Sequence, residues 1–229
     1  MATIYKNGSR GAVVKQIQKI AGCYPDGIWG PLTTESVRTW QREHGLKDDG
    51  LAGPATLAKM GITVAVEMLA IKKSKRVITD IVVHCTASKE NVHLTVEQIR
   101  AMHTAPKSKG GRGWSDIGYH YVVYLDGTVH EGRDVSISGA HVSGHNAHSI
   151  GIVYVGGLDC KGKAKDTRTE EQKAALLALL VDLRKLYPEA RISGHRDFSP
   201  DLNGDGVIEP KEWIKECPCF DAKLEYRYL

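Results

Sequence analysis

The chain is 229 residues long, 41% hydrophobic and 25% charged, a globular composition that excludes a disordered or fibrous protein. That length holds one medium domain and one small one, and the longest apolar runs, residues 81–83 and 174–181, fall far short of the roughly 20 residues a membrane span needs. The net charge of +4 comes without a dense Lys/Arg block interleaved with aromatics, so nucleic acid is not an expected partner.

Residues 1–10 hold no apolar stretch of the secretory-leader kind, so no signal peptide and a cytoplasmic start are expected. The first sixty residues contain a repeat. Asp26-Gly27-Ile28-Trp29-Gly30-Pro31-Leu32-Thr33 returns as Asp49-Gly50-Leu51-Ala52-Gly53-Pro54-Ala55-Thr56. Each copy pairs a D-G turn with a proline suited to the first turn of a helix. Val13, Ile17 and Ile20 recur at helical spacing before the first copy, and Val37, Trp40 and Gln41 continue a helix that ends at Gly45. The expectation is a three-helix module over residues 1–61. Residues 62–76 end in the basic run Lys72-Lys73-Ser74-Lys75-Arg76 and read as a linker.

From Val77 the pattern changes. Residues 77–84 form a β-branched run that predicts a buried strand. A short helix is expected over 95–102, and Asp126-Gly127 between runs 118–125 and 128–131 predicts a hairpin. Residues 149–155 read as a strand. Over 169–187 a helix is expected, with Thr169 and Gln172 as a capping box, Leu176, Leu180 and Leu183 on one face, and Pro188 after the end. A last short strand, 191–194, leads to His195. Strands mixed with helices indicate an α/β domain over residues 77–229.

Three metal-ligating side chains stand near predicted strand ends or the C-terminus. His84 closes the run VITDIVVH, His195 follows RISG, and Cys217 lies in Lys215-Glu216-Cys217-Pro218. Two imidazoles and a thiolate suit zinc with a fourth position left open. A lone histidine is more often an ordinary, partly buried polar residue, so the context of each must decide. The five cysteines are odd in number, which argues against a disulfide framework. Nothing in the sequence encodes an oligomer, and a monomer is expected.

That context is a series of motifs in order: His84-Cys85-Thr86-Ala87-Ser88, Trp114-Ser115-Asp116-Ile117-Gly118-Tyr119-His120-Tyr121, Asp126-Gly127-Thr128-Val129, Gly139-Ala140-His141, Asn146-Ala147-His148-Ser149-Ile150-Gly151-Ile152, Gly194-His195-Arg196-Asp197, and Lys215-x-Cys217-Pro218-x-Phe220-Asp221. Together they resemble the type 2 N-acetylmuramoyl-L-alanine amidases, which include phage lysozyme-like amidases and peptidoglycan recognition proteins. The resemblance implies a mixed central β-sheet flanked by helices. It also implies zinc on His84, His195 and Cys217, Tyr119 beside the reacting water, Lys215 as oxyanion donor, and His141 and Asn146 along the substrate groove. Gly8-x-x-Gly11-x-x-Val14-x-x-x-Gln18, with Asp26 to Pro31 and Trp40-Gln41, resembles a bacterial peptidoglycan-binding domain of three helices. Its presence would raise the local concentration of wall around the second domain.

Such chemistry is physically coherent. An amide is a poor electrophile and water a poor nucleophile at neutral pH; zinc addresses both. A lysine donor suits the charge that develops on the carbonyl oxygen. Between His195 and Cys217, Asp201-Leu202-Asn203-Gly204-Asp205-Gly206-Val207-Ile208-Glu209-Pro210-Lys211-Glu212 resembles an EF-hand loop. Asp201, Asn203, Asp205, Glu209 and Glu212, with the Val207 carbonyl, would surround Ca²⁺ in a structural site. The alternative is a solvated turn whose side chains bond their own backbone. Two other functions compete with the zinc amidase: a recognition protein that binds wall without cutting it, and a cysteine hydrolase using Cys85 or Cys217.

Overall fold

The computed structural model describes residues 4–62 and 71–229. The N-terminal part contains α1 (Ala12–Ile20), α2 (Pro31–Glu43) and α3 (Pro54–Lys59). Gly30 and Gly53 sit in extended conformations ahead of the prolines that open α2 and α3. Val14, Ile17, Trp29, Val37, Trp40 and Leu57 form the core.

Two buried glutamines give the sequence repeat its physical basis. The Gln18 Nε2 group lies 2.8 Å from Asp26 Oδ1, 3.0 Å from the Ile28 carbonyl and 3.0 Å from Thr33 Oγ1, while its Oε1 accepts from the Gly27 amide at 2.8 Å. Gln41 repeats the bracket on Asp49, the Leu51 carbonyl, Thr56 and the Gly50 amide. Each D-G turn is therefore satisfied by an amide from the preceding helix, which is why a polar side chain can be buried there at little cost.

Residues 63–70, the front of the expected linker, lie outside the described residues. Its end is pinned to the second domain. The Ser74 hydroxyl donates to the Val135 carbonyl at 2.7 Å. Arg76 donates to the carbonyls of Val135, Asn146, Ala147 and Ser149. A guanidinium with five donors serves a cluster of carbonyls that no neutral side chain could satisfy.

The second domain is built on a five-stranded sheet. Its strands are β1 (Asp80–Cys85), β3 (Tyr121–Val123), β4 (Val129–Glu131), β5 (Ser149–Tyr154) and β7 (Arg191–Gly194), in the order β4-β3-β5-β1-β7. Three pairings are parallel and the β3–β4 hairpin is antiparallel, so the sheet is mixed. A minor ribbon pairs β2 (Ser88–Lys89) with β6 (Gly157–Leu158). All six residues of β1 are buried, as its apolar run predicts for a strand with neighbours on both sides. The strand begins at Asp80 rather than at Val77, whose side chain is exposed.

Helices cover both faces. α5 (Glu170–Leu186) lays Leu176, Leu179, Leu180 and Leu183 against Ile81, Val83, Ile150 and Ile152. Full burial of each leucine is worth about 1.5–3 kcal/mol. Its Thr169/Gln172 capping box forms as expected, and the Gln172 amide also reaches the Val123 and Val155 carbonyls. α4 (Val96–Thr104) packs Val96 and Ile99 with Ile117, Val122 and Val153 on the other face. Side chains alternate along β1, so Ile81, Val83 and Cys85 point to the α5 core and His84 points away from it.

The C-terminal segment, with α6 (Ala222–Glu225), is held by Arg168. Its guanidinium is 1% exposed, bonds the carboxylates of Asp166 and Glu225 at 2.8 Å, and lies 3.3 Å over the Phe220 ring.

Candidate metal centre

Register alone brings two histidines together. Val83 of β1 pairs with Gly194 of the parallel β7, so the next residues, His84 and His195, stand side by side at the sheet edge. Their rings are 4.8 Å apart. The chain then makes an excursion and returns, closed by a 2.8 Å bond from the Arg196 amide to the Cys217 carbonyl. This sets Cys217 Sγ 3.7 Å from His84 Nδ1. One ligand atom from each of His84, His195 and Cys217 lies within 4.8 Å of the others, and among the described residues no other group of His, Cys, Asp or Glu gathers in this way.

The donor set fits zinc chemically. Burial, then the nearby His141 and His195, hold the His84 imidazole well below its ordinary pKa. Burial, then Lys215, bring His195 down to about 4. Both rings are therefore neutral at pH 7, each with a lone pair free for a cation. Two neutral nitrogens and a sulfur are the donors that zinc takes, with room for a fourth.

His195 and Cys217 line a cavity of about 630 Å³ whose walls also include Tyr119, Lys215, His141 and Asn146, while His84 is buried. The Tyr119 ring lies 5.2 Å from that of His84. Burial pushes its hydroxyl above the ordinary tyrosine range, so it stays protonated and can donate a hydrogen bond. Lys215 is exposed on the cavity wall. His141 is buried, with Nδ1 3.0 Å from His84 Nε2. Asn146 uses its Oδ1 to accept from the His141 and Val142 amides at 2.8 and 2.9 Å, clamping the loop that carries His141.

Arg112 and His103 are among the cavity residues that escaped the sequence reading. Arg112 belongs to no motif and stands on an exposed turn. His103, on the last turn of α4, accepts from the Gly118 amide at 3.0 Å, and its ring lies tilted 5.5 Å from that of Tyr119. A histidine at a helix end carries no sequence signal for this role.

Burial holds His103 down to about 4, and His120 likewise. The unfolded chain takes up protons on both below about pH 6.5, whereas the fold refuses them until about pH 4. Their contribution to stability is complete above pH 6.5 and is lost as pH falls from 6.5 to 4. Urea midpoints measured across that window should drop, with no further drop from these two groups below it.

The side chains of the EF-hand-like loop bond the backbone of the loop itself. Asp201 accepts from the Gly204 and Gly206 amides, Asn203 from Asp205, Asp205 from Val207, and Glu212 from Leu202 and Glu209. Glu209 pairs with Lys211. The side chains expected around Ca²⁺ thus satisfy their own backbone and one lysine, and the structure gives the calcium expectation, including the Val207 carbonyl, no support. Cys85 is equally unsuited to nucleophilic work. Its contact with Cys217 and its burial push the thiol up to about 12.

Residues 74–212 match the N-acetylmuramoyl-L-alanine amidase family, and the chain belongs to it. Residues 10–60 match a peptidoglycan binding domain. The family match ends before Lys215 and Cys217, so the place of those two rests on geometry and on the motif around them. An uncharacterised protein of Haemophilus influenzae is 57% identical over 98 residues, 43% of this chain and 84% of that one. The endolysin of Enterobacteria phage K11 is 39% identical over 141 residues, 62% of this chain and 80% of the endolysin. Among solved structures, the Ph2119 endolysin from a Thermus scotoductus bacteriophage superposes with a TM-score of 0.47 at 28% identity, covering 68% of this chain and 84% of that one.

Proposed function

We propose that the protein is a zinc-dependent amidase. It hydrolyses the amide between the lactyl group of N-acetylmuramic acid and L-alanine in bacterial peptidoglycan, in the manner of an endolysin. The observation that carries this reading is the convergence of His84, His195 and Cys217, the last two of which line the cavity. Zinc held by these residues would supply Lewis-acid polarisation of the carbonyl and acidify a water. The chain's own groups do the rest. His84 and His195 would hold the ion as neutral imidazoles, with Cys217 as the sulfur donor. The protonated Tyr119 hydroxyl orients the attacking water. The Lys215 ammonium stabilises charge on the carbonyl oxygen. Residues 10–60 keep the enzyme on the wall, where effective substrate concentration is high.

Mass spectrometry of digested sacculi tests the proposal. Free stem peptides with L-alanine at the amino end should appear, disappear after strong chelation, and return with zinc. Wall binding with no peptide release would mark a recognition protein instead, and activity that survives chelation but not alkylation would mark a cysteine hydrolase. Tyr119→Phe should lower kcat/KM by about 10²-fold, within the range for a lost proton-transfer group, while zinc content stays at the wild-type level. Near wild-type turnover in that variant would remove Tyr119 from the mechanism.

A further inference from the structure

His84 uses Nδ1 toward Cys217, which leaves Nε2 on the opposite edge of its ring. That edge meets His141 Nδ1 at 3.0 Å, and His141 Nε2 in turn lies 3.3 Å from Ser149 Oγ. The Ser149 hydroxyl donates to the His145 carbonyl at 2.8 Å, so its proton is committed and its oxygen is free to accept. Direction then follows along the chain. His141 must donate from Nε2 to Ser149, so its Nδ1 is an acceptor; His84 must donate from Nε2, so its Nδ1 carries the lone pair.

From this geometry we infer that His141 is a positioning residue for the metal ligand His84, fixing its tautomer and ring orientation, rather than a contact for substrate. The inference rests on the zinc reading above. Imidazole ligands commonly need such a partner on their second nitrogen, and here the partner is another imidazole.

The surroundings are shaped to hold this ring in place. A Cβ on Gly139 would come within 2.5 Å of His141 Cδ2, and one on Gly151 within 2.6 Å. His141 is thus seated in a slot between two residues without side chains. Asn146 grips its backbone amide, and Ser149, at 0% exposure, anchors its far nitrogen. A groove residue meant to follow a mobile ligand would not need its second nitrogen tied down beneath the surface.

The test compares wild type, His141→Phe and His141→Gln for zinc affinity by competition with a chromogenic chelator. It also compares the visible spectrum of the cobalt-substituted proteins, and kcat and KM at saturating zinc. His141→Phe should bind zinc about 10–100-fold more weakly, with KM unchanged. Glutamine can accept from His84 Nε2 and donate to Ser149, so His141→Gln should recover most of the affinity and of the cobalt spectrum. Wild-type zinc affinity in His141→Phe together with a raised KM would overturn the inference and return His141 to the groove. Equal losses in both variants would also overturn it, since packing rather than hydrogen bonding would then be at work. Should His141→Phe fail to fold, Ser149→Ala decides: weaker zinc upholds the relay and unchanged affinity refutes it. If wild type itself takes up no zinc, the proposed function fails first, an outcome separate from any difference between variants.

Discussion

Cys217→Ser should leave a folded protein that takes up little zinc and has lost nearly all amidase activity. The side chain is half-buried and its sulfur accepts from the Cys85 amide at 3.2 Å. A serine oxygen preserves that bond and nearly the same volume, so the fold has little reason to change. What disappears is the sulfur donor that the proposed zinc site requires. Lewis-acid stabilisation is worth several kcal/mol of barrier, and each 1.4 kcal/mol or so is about tenfold in rate. A fall in kcat/KM of about 10³-fold or more is therefore expected, read beside elemental zinc analysis and a thermal melt. Turnover close to wild type in a zinc-free Cys217→Ser protein would end the metal mechanism.

The largest stability effect is expected at Arg168. Replacing it by methionine keeps much of the volume over the Phe220 ring but strands the carboxylates of Asp166 and Glu225. Removing one member of a buried ion pair costs about 3–5 kcal/mol. Asp166 and Glu225 are 31% and 39% exposed and can take up water once the guanidinium is gone, which favours the lower end, about 3 kcal/mol. For a domain of this size that corresponds to a Tm lower by about 6–12 °C. An unchanged calorimetric Tm in Arg168→Met would show that the cluster contributes nothing net.

Much of this architecture was legible because burial on both faces leaves a simple trace. The run ending at His84 reads as a central strand, and the helix capped by Thr169 and Gln172 forms where its leucines predict. The pairing of His84 with His195 was within reach because each ends a strand, although adjacency of β1 and β7 is a fact of topology that no local pattern contains. The relay from His84 through His141 to Ser149 was not legible. His141 sits in a loop whose path depends on the Asn146 clamp and on two glycines, so its partner emerges only with the fold. Arg76 misled for a related reason. A basic run looks solvated until the carbonyls of four separate residues are seen around it. The loop at 201–212 is a case of the opposite kind. Asx side chains at every second position suit a cation and suit backbone turns equally well, and spacing cannot tell the two apart.

The 2.8 Å bond between the Arg196 amide and the Cys217 carbonyl, with Ser199 Oγ accepting from the Ile214 amide at 3.1 Å, closes the neck of the excursion between those residues. Trp213, under the Arg196 guanidinium at 4.1 Å, belongs to this fastening, and residues 200–212 lie beyond it. The length and composition of 200–212 should be free to change without altering the bite of the site, because the fastening that aims the sulfur sits at the base of the loop rather than along it.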